Sequence, residues 1–160
     1  MNPLATPSLR RRLAAMVYEA MLLFAVLFIA DWFFSTLLQQ RHALQLRHAG
    51  QAWLLAVLGL YFVWFWTHGG QTLAMKTWRV RLVTRDGKPL GTPRAITRFA
   101  LAWLWLLPGL VAASLLGAKT WGLLLIPGLN ILAWALTAFL DPERQFLHDR
   151  IAGTRVVAAD

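Results

Sequence analysis

Arg12 and Glu19 close the segment RRLAAMVYE seven residues apart. That spacing sets them on one face of a helix, two turns and about 10 Å of rise from each other. An acid inside an apolar run costs about 2.5–3.5 kcal/mol on insertion scales, so Glu19 is expected to point into a bundle and meet a cation or a hydrogen-bonding partner. Two readings stand: a helix-packing pair with Arg12, or a protonatable or cation-coordinating carboxylate on a permeation path. Asp31 lies twelve residues further on, rotated by about a third of a turn and raised by about 18 Å. The two carboxylates therefore share no site on that helix, and Asp31 reads as a solvated acid at the far interface.

In the tail, LHDRIAGTRVV places Asp149 between His148 and Arg150. The cluster is either solvated charge that attracts anionic headgroups or a latch, with Asp149 paired to Arg12 or another basic residue and holding the tail against the bundle. Asn130 follows Pro127 and Gly128, while Pro108 and Gly109 stand in the apolar run before it. Both pairs disturb helical hydrogen bonding at membrane depth. They imply either two interrupted helices around a polar spot, or two kinks with Asn130 bonded across helices. His42, His48, His68 and His148 are scattered without ligand spacing, so no metal site is expected, nor any cofactor. There is no HExxH, no GxSxG and no phosphate-cradling glycine loop, which argues against an enzyme. The chain has no cysteine, hence no disulfide and no thiolate chemistry.

The elements that must hold these residues are apolar and long. Hydrophobic residues make up 58% of the 160 and charged residues 14%, against about 25% charged in soluble globular domains. Mean hydropathy is +0.53. Four stretches, near 13–38, 52–68, 99–116 and 121–140, reach the roughly 20 residues that a helix needs to cross a bilayer. The first opens like a signal peptide but runs on without a small-residue cleavage site, and it is read as a retained span. The fold expected is an all-α membrane protein: one domain of four transmembrane helices with a small β-ribbon on one side.

The formal charge is +9 and the pI near 11.5, yet the basic residues lie between apolar runs and form no compact patch. With four spans and both termini inside, the connection 69–98 and the tail 141–160 are cytoplasmic. Thirteen of the 16 Lys and Arg residues then fall on the inner side, as the positive-inside rule requires. WRVRLVTRDGKPL alternates apolar and basic residues up to an Asp-Gly pair, the pattern of a strand ending in a turn. IAGTRVV carries a second β-branched run, and the two are predicted to pair as the ribbon. Arg79, Arg81, Arg85 and Lys88 would then meet lipid headgroups. Nucleic acid is not expected as a partner, because the basic residues border the membrane and the aromatic ones lie in spans.

Three segments, RRLAAMVYE, GGQTLAMKTWRVRLVTRDGKPL and LHDRIAGTRVV, together resemble the RDD family of bacterial membrane proteins, named for one arginine and two aspartates. The resemblance puts the family arginine on Arg12, the first acid on Glu19 and the later aspartate on Asp149. Glutamate stands here where the family usually has aspartate, and Ala74 where it commonly has glycine. The resemblance implies transport of an unknown ligand, with sodium/proton exchange in some members. The expectation is thus a small proton- or cation-coupled transporter of the bacterial cytoplasmic membrane, or a subunit of one, working as a homo-oligomer. The alternative is a non-transporting membrane scaffold that binds lipid or a partner through its basic face.

Overall fold

A computed structural model describes residues 5–38 and 47–159; Arg41 and His42 lie outside that set. The order is α1 (Leu9–Leu37), α2 (Arg47–Thr67), α3 (Leu73–Thr77), β1 (Val80–Thr84), α4 (Thr92–Ala102), α5 (Leu107–Leu115), α6 (Gly122–Leu136), α7 (Leu147–Ile151) and β2 (Thr154–Ala158). Four helical stretches are long and apolar enough to cross a membrane: Leu9–Leu37, Arg47–Thr67, Thr92–Leu115 and Gly122–Phe139. The packing of α1 inverts that of a soluble helix. Its only buried residues are Arg12, Ala15, Glu19 and Ala30, while Phe24, Phe28 and Leu37 stand exposed. Charged residues turn inward and large apolar ones outward when the surrounding solvent is hydrocarbon.

Ser8 caps α1 by accepting a hydrogen bond from the Arg11 amide, which releases a first turn of three arginines straight into an apolar run. α2 packs against both α1 and α4, and α5 forms a hairpin with α6. The third crossing differs from expectation in two ways. It begins at Thr92, with Pro93 in its first turn, seven residues before the apolar stretch. It is also broken by a 3₁₀ turn at Trp103–Trp105, ahead of Pro108. Proline lacks an N–H and its ring crowds the preceding turn, so the defect falls before the proline that causes it. The fourth crossing is not interrupted: α6 runs through Pro127, and the expectation of two broken helices holds for the third alone.

At the α5–α6 contact the backbones nearly touch. A Cβ on Gly109 would come within 2.7 Å of Pro127 Cα and 2.9 Å of Asn130 Cβ. Gly109→Ala is therefore expected to destabilise the hairpin by about 1–3 kcal/mol, read as a lower melting temperature in detergent. Gly128→Ala, where nothing lies within 4 Å, is the matched control and should be close to neutral.

The ribbon forms as the alternation predicts. β1 and β2 pair antiparallel, from Val80 opposite Ala158 to Thr84 opposite Thr154. The Asp-Gly turn closes with Gly87 at φ 75° and the Thr84 amide bonded to the Lys88 carbonyl at 2.9 Å. Val80, Leu82 and Val156 pack with Ala15, Trp66, Leu90 and Ala95, so the core lies where the ribbon meets the ends of α1, α2 and α4. Gly70 allows this closeness: its carbonyl accepts from the Leu82 amide at 2.7 Å, and a Cβ there would sit 2.4 Å from the Leu82 oxygen.

Candidate functional site

The inward-facing polar residues form two centres. The first surrounds Glu19, which is 8% exposed. Tyr61 of α2 donates its hydroxyl to Oε1 at 2.6 Å, and the Thr72 hydroxyl donates to Oε2. Thr72 also caps α3, accepting from the Met75 amide at 3.2 Å, so the same side chain starts that helix and ties it to α1. Among the described residues no cation forms an ion pair with Glu19.

The expected pair of Arg12 with Glu19 does not form. Two turns of helix separate them, and each has nearer partners. Arg12 donates Nη2 to the Arg144 carbonyl and lies 4.6 Å over the Phe146 ring, a cation–π contact that suits a buried guanidinium. It thus binds α1 to the segment that leads into the tail.

The second centre is Asp149, with no solvent exposure. Its partner is Arg98 of α4, not Arg12: Arg98 Nε donates to Oδ1 at 2.7 Å, and the Arg98 guanidinium also lies 4.3 Å over Trp66. Thr154 Oγ1 bonds to the Asp149 carbonyl at 3.2 Å and to Oδ1 at 3.3 Å. The latch is real, but it closes on the third crossing. Burial alone would push the Asp149 carboxyl up; the Arg98 guanidinium bonded to it, with Arg12 at longer range, holds it below the ordinary carboxylate value.

His148 connects this centre to the helices. Nδ1 accepts from the indole N–H of Trp105 and of Trp134, each at 3.1 Å, and Nε2 faces Asp149 Oδ1 at 3.6 Å. Indole nitrogens only donate, so Nδ1 must carry its lone pair and the ring is neutral with the proton on Nε2. An ion pair with Asp149 would require the imidazolium that these two donors exclude. Burial drives the His148 value down to about 4, with Asp149 opposing and Arg98 and Arg12 reinforcing the shift.

The remaining expected residues divide cleanly. Asn130 donates to the carbonyls of Leu104 and Trp105, at 3.2 and 2.6 Å, which satisfies acceptors freed by the break in the third crossing. Asp31 is exposed. Arg150 is exposed and reaches Asp141 at 3.8 Å. Arg79, Arg81, Arg85 and Lys88 are all exposed at the ribbon end. Sequence reading passed over Arg98, Tyr61, Thr72 and the two indoles. It also passed over Gln145, whose amide pairs with both the N–H and the C=O of Val156 and extends the ribbon edge. Among the described residues no group of His, Asp and Glu side chains is placed to hold a metal ion.

Four helices long and apolar enough to cross a membrane, with Arg12 and Glu19 buried between them, mark a helical membrane protein. The sequence profile of the RDD family matches residues 6–153, and the chain belongs to the RDD family. No curated protein matches the chain, and no solved structure does.

Proposed function

We propose that this protein is a small transporter of the bacterial cytoplasmic membrane, or a subunit of one, in which Glu19 takes up and releases a proton or a small cation. The observation that carries the reading is the contrast between its two buried acids. Asp149 is neutralised by Arg98 at 2.7 Å and is committed to holding the tail. Among the described residues Glu19 meets only the hydroxyls of Tyr61 and Thr72, a set of oxygens that can share a proton or give way to a cation without breaking an ion pair. The charge asymmetry of the loops supports both termini being cytoplasmic. Four short crossings leave little room for a pathway within one copy, so the reading includes a homo-oligomer. No enzymatic role is proposed.

Flux in proteoliposomes tests this. With a pH-sensitive dye inside and a sodium or potassium pulse outside, the wild type is expected to move protons, and Glu19→Gln to lose about tenfold or more of that rate. Unchanged flux in the variant, or wild-type flux no greater than in empty vesicles, removes the reading. The second reading, a scaffold that binds lipid or a partner, is favoured by the exposure of Arg79, Arg81, Arg85 and Lys88 on one end of the molecule.

A further inference from the structure

Beside the first turn of α1 is a cleft of about 650 Å³, lined by Arg10, Arg11, Ala14, Thr77, Trp78 and Arg79. From this geometry we infer that the cleft is a site for the headgroup of an anionic phospholipid. Its floor is fixed, because Arg11 spends its guanidinium on the fold, donating to the Trp78 carbonyl and, at 2.6 Å, to the Arg79 carbonyl. The guanidinium groups of Arg10 and Arg79 are different: both residues are exposed, and among the described residues neither side chain has a hydrogen-bond or ion-pair partner.

Three arginines thus line an open cleft with no carboxylate among the lining residues, and two of them keep their guanidinium groups free for a ligand. Like charges held together in this way favour an anion between them, and the guanidinium fork matches phosphate oxygens. Depth selects the kind of anion. Arg10 precedes the apolar run by three residues, about 4.5 Å along the helix axis, which is headgroup level. The Trp78 ring at the lip is 38% exposed, an amphipathic side chain suited to that layer. Leu73 and Val17, both exposed, offer apolar surface to the acyl chains on α3 and α1.

The site rests on the membrane placement proposed above but not on transport, so Glu19→Gln should leave it intact. Native mass spectrometry of the detergent-solubilised full chain titrated with phosphatidylglycerol or phosphatidylcholine tests it. The first phosphatidylglycerol is expected to bind selectively, and Arg10→Gln with Arg79→Gln to weaken it about tenfold or more. Arg94→Gln with Lys119→Gln removes the same charge from exposed positions outside the cleft lining and should change it by less than about twofold. Neither Arg10 nor Arg79 uses its guanidinium within the fold, and Arg10→Gln alone, outside the strained φ of 48° at Arg79, should give an intermediate loss. Equal weakening by the two double variants, equal binding of phosphatidylcholine, or no loss in Arg10→Gln overturns the site. Displacement of the lipid by excess inorganic phosphate would assign the cleft to a soluble anion and overturn it equally.

Discussion

Asp149→Ala is expected to destabilise the protein by about 3–5 kcal/mol, the range for removing one partner of a buried ion pair. The loss is large because the carboxylate is fully enclosed and joins three elements: Arg98 of α4, the Thr154 hydroxyl of β2 and its own helix α7. Without it, the Arg98 guanidinium keeps its desolvation cost and its place over Trp66 but has lost its counter-charge. The test is a double-mutant cycle on Arg98 and Asp149, followed by unfolding in mixed micelles. Arg98→Met and Asp149→Leu should each be costly in the same range, while the two combined should recover much of the loss, since a buried ion pair replaced by hydrophobes of similar volume is often neutral. Simple additivity of the two single changes would show that the contact is not a coupled unit.

Such a recovery would also explain which parts of the site can be read from sequence and which cannot. The apolar runs locate the crossings because length and composition decide membrane insertion whatever the tertiary partners. The ribbon is legible because strand alternation and an Asp-Gly turn are local signals. Pairing choices are not local. Asp149 announces a latch, but its cation is 51 residues away, in a loop whose arginines all carry topological meaning. A local signal exists in TPRAITRFALA: Ala95, Arg98, Phe99 and Ala102 recur at i, i+3, i+4 and i+7, which sets Arg98 on the apolar face of its helix and Arg94 off it. Glu19 shows the opposite case. Its acid character predicts a partner but not that two neutral hydroxyls, from α2 and from the cap of α3, would serve in place of a charge. Even the kink is displaced, since Pro108 marks a break that falls at Trp103–Trp105.

Acidification should loosen the tail before it reaches any carboxylate of the latch. His148 is held at about 4 against an ordinary 6.5, so between those values the unfolded chain binds a proton that the folded chain refuses. Stability is therefore full above about pH 6.5 and falls as the pH drops toward 4, by on the order of 3 kcal/mol in total. Asp149 works in a lower window: its folded value lies below the ordinary 3.8, so its contribution is intact throughout this range and is lost only as the pH falls through that lower value. The structural cost is specific, because a proton on Nδ1 would face the N–H groups of Trp105 and Trp134 and would detach α7 from both the third and fourth crossings. Unfolding in detergent measured from pH 7 to pH 4.5 should show this slope. His148→Asn, which offers an oxygen near the same indoles but does not titrate, should lower stability at pH 7 yet flatten the curve. If wild type and variant lose stability in parallel, the pH response originates elsewhere and the neutral ring is only a packing element.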